Sequence, residues 1–172
     1  MLCNVKEGTS EKCADYWGKE MEKYKVETLE ENKFNDYLVI RKFKLTNINN
    51  ENNPKEIIQL HFTGWPDAGI PKIDLTYQTF LEMFVVVKKN KNTFPMVVHC
   101  SAGVGRTGTF IAMYNLYNEI LQQIDDLTKK EIEFSIFNLV RKMKEMRMFL
   151  VQNVYQYLFV HQFINNLLES VN

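Results

Sequence analysis

The sequence offers little covalent bracing. Cys3, Cys13 and Cys100 are its cysteines, an odd set without a C-x-x-C pair. That argues against a disulfide framework and against a cysteine zinc site, and for a reducing compartment. No N-x-S/T sequon is present. The opening Met1-Leu2-Cys3-Asn4-Val5-Lys6-Glu7 lacks the apolar core of a signal peptide. The longest apolar runs, such as Phe84 to Val87, are far too short to span a bilayer. Charge of either sign is not in excess, with 21 basic and 21 acidic residues. No global field therefore favours nucleic acid or an anionic membrane, although a local basic site remains open. No repeat and no linker divides the chain. The expectation is a single cytoplasmic domain over residues 1–172, large enough to bury a core.

What is present divides into strands first and helices second. Tyr37–Leu45 and Glu56–Phe62 alternate apolar and polar residues in part, and predict an antiparallel pair. Between them Thr46–Pro54 is polar and asparagine-rich, and reads as a loop. Leu75–Lys89 predicts a helix with Asp74 as N-cap. Phe94–His99 is continuously apolar up to its histidine, the pattern of a short strand buried on both faces. Thr107–Gln123 has helical apolar spacing at Phe110, Ile111, Tyr114, Tyr117, Ile120 and Leu121. Ser135 is placed to cap a helix through about Met146, and a last helix runs from about Val154 to Leu168. Tyr155, Tyr157, Phe159 and Phe163 on it are read as core. The class is α/β or α+β.

The chemistry concentrates at Val97-Val98-His99-Cys100-Ser101-Ala102-Gly103-Val104-Gly105-Arg106-Thr107-Gly108. A strand, a loop of small residues and a helix start follow one another. Successive backbone N–H groups in such a loop converge on one point, and the helix N-terminus adds partial positive charge. Gly103 and Gly105 permit close backbone approach. Arg106 brings a planar fork suited to two phosphate oxygens. The same donors stabilise a thiolate on Cys100, a nucleophile already seated in an anion cradle. A glycine-rich turn holding an inert core cysteine has the same bare C-x5-R spacing. A P-loop is excluded here because no G-K-[ST] follows the glycines. His99 is read as structural, because a thiolate of lowered pKa needs no base. His61 and His161 stand apart from any ligand set, so no metal or other cofactor is expected, and Cys3 and Cys13 read as core thiols.

His99-Cys100-Ser101-Ala102-Gly103-Val104-Gly105-Arg106-Thr107-Gly108-Thr109-Phe110 resembles the phosphate-binding loop of the tyrosine-specific protein tyrosine phosphatases. Lys12-Cys13 with Tyr16-Trp17 resembles that family's KC-x-x-YWP, with Gly18 in place of proline. Arg41–Leu45 resembles its R-x-F-x-L strand, and Gln59–Pro71, containing Trp65-Pro66-Asp67, its WPD loop. Arg147 followed by Leu150-Val151-Gln152 and by Gln156-Tyr157 resembles its Q-loop. The resemblance runs from about Met1 to His161. It implies a twisted mixed sheet flanked by helices and hydrolysis of phosphotyrosine on proteins through a phosphocysteine, without metal. It implies Asp67 as general acid; taken alone, that aspartate beside a proline reads as a turn residue. It further implies Gln152 as the residue positioning water and Thr107 as an aid to sulfur departure. Ser101, Ala102, Gly103, Val104, Gly105, Arg106, Trp65 and Gln156 are implied as substrate-binding.

Two other readings stay open: a cysteine phosphatase acting also on phosphoserine/threonine or phosphoinositides, and a binding module that holds phosphotyrosine without cleaving it. The family's asparagine-lysine-asparagine-arginine-tyrosine loop matches no segment here. The expectation is therefore the C-terminal portion of a catalytic domain, with strand edge or apolar surface uncovered unless a preceding segment or another chain completes it. Weaker selectivity for phosphotyrosine is expected with it.

Overall fold

The computed structural model describes residues 1–66, 69–90, 95–126 and 131–171. The chain forms two compact units, Met1–Gly64 and Trp65–Asn172.

The first unit is antiparallel sheet. A short hairpin pairs β1, Lys6–Glu7, with β2, Ser10–Glu11. A meander follows in the order β3 Tyr24–Asn35, β4 Leu38–Asn47, β5 Asn50–Phe62. The expected pair is β4 with β5, in the register Leu38↔Phe62 to Leu45↔Lys55. β3 had no reading from the sequence. Its exposed run of Glu, Lys and Asn shows no apolar alternation, so its strand state comes from pairing with β4. The segment Thr46–Pro54 is not a loop over its length. β4 and β5 extend into it, leaving Ile48 and Asn49 as the turn. The Asn47 side chain accepts the Asn49 N–H at 2.9 Å, which closes that turn locally. Pro54 is tolerated because β5 is an edge strand and its pairing with β4 is irregular between Leu45 and Asn47.

The aromatic and basic motifs of this unit form one buried knot. Arg41 sits over the Trp17 ring at 4.7 Å, pairs with Glu31 and donates to Gln59 at 2.9 Å. Its Nη1 also meets His61 Nδ1 at 3.1 Å. A guanidinium only donates, so Nδ1 accepts, and Nε2 carries the proton that goes to the Cys3 carbonyl at 3.0 Å. His61 is thus a structural link.

The second unit is helical: α1 Ile73–Asn90, α2 Gly105–Asp125, α3 Ile136–Met146 and α4 Val154–Val171. Each matches an expected helix; α1, α2 and α4 run longer than expected, and α3 keeps its expected ends. Asp74 lies inside the first turn of α1 rather than at its cap. Ser135 caps α3, its hydroxyl accepting the Asn138 N–H at 3.2 Å. Asn153 does the same for α4, accepting from Gln156 N–H at 2.9 Å. Phe80 and Phe84 of α1, Phe110 of α2, and Phe159 and Phe163 of α4 are all buried. Their rings meet at centroid distances of 5.3 to 6.5 Å, mostly edge to face. Tyr155, at 63% exposure, and the half-buried Tyr157 fall outside the expected aromatic core.

The architecture is α+β. Two differences from expectation concern the sheet. Both sheets among the described residues are antiparallel rather than mixed. Pro95–His99 is not in a strand, and Val97 is 80% exposed. An apolar run becomes a strand only by hydrogen bonding to a neighbour, and no described strand pairs with this one.

Candidate active site

Cys100 ends the extended segment and α2 begins at Gly105, so four residues turn the chain between them. Gly103 makes the turn possible with φ +70°, a conformation that side chains rarely adopt. Val104 occupies the N-cap position and supplies no side-chain cap. No acidic residue lies in the first turn of α2. The N-terminal amides are therefore left to an anion. Arg106 in that first turn, 9% exposed, sets a cation at the positive end of a helix.

The Cys100 sulfur lies among these donors. Burial pushes its thiol up, but the Thr107 hydroxyl and the backbone N–H groups of Thr107, Gly103 and Val104 donate to it and hold it below the usual thiol range. The Thr107 hydroxyl lies 3.2 Å from the sulfur. Cys13 behaves oppositely, with burial as the main cause of a raised thiol. His99 rests through Nδ1 on the Cys100 carbonyl at 3.3 Å, and burial lowers its basicity. It supports the backbone and does not approach the sulfur through any described contact.

The loop between α3 and α4 comes up against the cradle. Arg147 caps α3 and donates through Nη2 to the Ala102 carbonyl at 3.3 Å. Phe149 and Val151 both have left-handed φ, 66° and 56°, an uncommon conformation for non-glycine residues and especially for a β-branched one. A Cβ on Gly105 would stand 3.1 Å from Gln152 Oε1 and 2.8 Å from Gln156 Nε2, so both glutamine side chains lie against the helix start. Gln152 is exposed. Gln156 is buried and accepts the Gln152 N–H at 2.8 Å. Gln156 thereby braces the loop. Trp65, 1% exposed, packs on Phe80 and Phe159 and donates to the Gly69 carbonyl at 3.0 Å. A side chain so enclosed anchors the backbone that carries it. Asp67 itself lies outside the described residues.

Gly108 shows how tightly α2 and this loop are fitted. A Cβ there would lie 2.5 Å from the Val151 nitrogen and 2.9 Å from Leu150 Cα. Both are backbone atoms and cannot swing aside. Gly108→Ala should destabilise the protein by about 1–3 kcal/mol and lower turnover as Gln152 is pushed off the helix start. Thermal unfolding measures the first effect; an unchanged midpoint would show that the loop gives way freely.

Among the described residues, no group of three or more His, Cys, Asp or Glu could hold a metal ion. No described helix is long and apolar enough to cross a membrane. The Thr107 hydroxyl thus stands against the Cys100 sulfur, and the Gln152 amide lies beside the helix start.

Comparison with known proteins agrees. The family model for the protein-tyrosine phosphatase matches residues 1–166. Receptor-type tyrosine-protein phosphatase zeta of Homo sapiens is 33% identical over 171 residues, covering 94% of this chain and 7% of that protein. A phosphatidylinositol phosphatase of Rattus norvegicus, PTPRQ, is 41% identical over 112 residues, covering 65% of this chain and 4% of that protein. The catalytic domain of human protein tyrosine phosphatase non-receptor type 18 superposes with TM-score 0.82 at 26% identity. That match covers 96% of this chain and 58% of the solved one. The chain thus spans a small part of these curated relatives and little more than half of the solved domain.

Proposed function

Because the chain belongs to the protein-tyrosine phosphatase family, we propose that it carries the chemistry of phosphotyrosine hydrolysis on protein substrates, through a phosphocysteine. One observation carries the reading: four donors, from Gly103, Val104 and twice from Thr107, converge on the sulfur of Cys100 at the open start of a helix.

The thiolate attacks phosphorus and forms the S–P bond as the P–O bond to tyrosine breaks. Loop amides from Ser101 to Gly105 and the Arg106 fork hold the three equatorial oxygens. They supply the charge stabilisation that other phosphoryl-transfer sites take from metal ions. Asp67 gives its proton to the departing tyrosyl oxygen. In the second step water attacks the phosphocysteine, positioned by the Gln152 amide. Asp67 takes the water's proton, and the S–P bond breaks to return thiolate and inorganic phosphate. The Thr107 hydroxyl, already bonded to the sulfur, eases that departure. A catalytic thiolate persists only where disulfide formation is suppressed, which supports a cytoplasmic setting.

The likeness to a protein named a phosphatidylinositol phosphatase supports a second reading, in which the same cradle takes an inositol phosphate. The chemistry is shared and only the leaving group differs. The purified chain should hydrolyse a phosphotyrosine peptide faster than a phosphoserine peptide or a phosphoinositide, and should do so in excess chelator. Faster release from the phosphoinositide would establish the second reading. Loss of activity in chelator, restored by zinc or magnesium, would refute the mechanism.

A further inference from the structure

Arg147 is drawn into the site without a part in the steps above. It enters at the end of α3, where its own N–H closes the helix on the Met143 carbonyl at 3.0 Å. Its side chain then reaches back 45 residues in sequence to the Ala102 carbonyl. That carbonyl and the Gly103 N–H belong to one peptide group. In a trans peptide the two point in opposite directions from one rigid plane. With the carbonyl held outward by the guanidinium, the N–H must face inward, and the Gly103 N–H is indeed one of the donors to the Cys100 sulfur.

A second observation fits the same part. The guanidinium lies directly beside the place a side chain on residue 103 would take. A Cβ there would come within 3.3 Å of Nη2, 3.7 Å of Cζ and 3.9 Å of Nη1. Gly103 therefore serves two needs at once: the positive φ that turns the loop and the space into which Arg147 lies. A peptide flanked by glycine flips readily when nothing holds it. A flip here would turn the Ala102 carbonyl, an acceptor, towards the sulfur and towards any phosphate. A cationic donor also polarises the peptide it binds, which strengthens the N–H on the opposite side.

We propose that Arg147 is a positioning residue that locks the Ala102–Gly103 peptide with its carbonyl outward, and thereby keeps the cradle's amides turned onto the nucleophile and its phosphate. The inference rests on the reading of Cys100 as the nucleophile. It concerns how the cradle is held rather than which substrate enters it.

The test compares wild type with Arg147→Met, which keeps an apolar stem and removes the donor. The rate of iodoacetamide alkylation at Cys100 is followed against pH, with the modified cysteine identified by peptide mass spectrometry. Thermal unfolding is measured alongside. The Met variant should alkylate about tenfold more slowly below the inflection, which itself moves up by about one pH unit. Its turnover should fall while its melting transition stays cooperative. A folded Met variant with the wild-type alkylation profile overturns the proposal. Should that variant lose its cooperative melt, Arg147→Gln carries the test, because its amide ends two bonds short of Nη2. A folded Gln variant with a shifted profile supports the lock, and one with the wild-type profile overturns it. Wild type itself separates the two readings. If its Cys100 shows no lowered inflection and it releases no phosphate, both the phosphatase reading and the lock fall. If wild type shows both and the variants match it, the role of Arg147 alone fails.

Discussion

Cys100→Ser abolishes turnover, leaving less than about a hundredth of the wild-type rate, the scale of losing a nucleophile. The serine hydroxyl is nearly the same size and still reaches the Thr107 hydroxyl and the loop amides, so the site keeps its shape. What it loses is ionisation. Hydrogen bonds that hold a thiol below its usual range cannot bring an alcohol to an alkoxide near neutral pH. The variant should therefore still bind a phosphotyrosine peptide. Single-turnover phosphate release and peptide binding, measured together, check both halves. A residual rate above that hundredth would assign the attack to another group. Lost binding would mean that the thiolate, rather than the amides and Arg106, organises the cradle.

Asp67→Ala lowers turnover by about 10² to 10⁴-fold, the usual range for a general acid. The wild-type rate should fall on the basic side as the acid loses its proton, and the variant's profile should lose that basic limb. Binding should change little, because the carboxyl acts on the leaving oxygen and not on the phosphate. A substrate whose leaving group is already a stable anion, such as a nitrophenol, should lose less than phosphotyrosine does. An unchanged pH profile in the variant would return Asp67 to the role of a turn residue beside Pro66.

Part of the site is legible in the order of residues alone, for local physical reasons. Thr107, Gly103 and Val104 lie within seven residues of Cys100, so an extended segment, a tight turn and a helix start are enough to bring their donors to the sulfur. The helices are legible for the same reason. Ser135 caps the residues immediately after it, and the spacing of Phe110, Tyr117 and Ile120 needs only the period of one helix.

Other features depend on partners that lie far along the chain. β3 is polar enough to read as loop, and its strand state depends on the ladder to β4. Pro95–His99 reads as a buried strand, yet strand state is a property of pairs, and no described strand bonds to it. Gln156 and Trp65 both fall in motifs that point to substrate, and both are buried, which their residue types do not announce. The strained φ of Phe149 and Val151, and the reach of Arg147 to Ala102, leave no mark in residue type or spacing. The donors around Cys100 could thus be read from the chain, because those contacts are short-range and mostly use the backbone. Which side chains brace that cradle was left to the fold, because bracing requires segments 45 residues apart to meet.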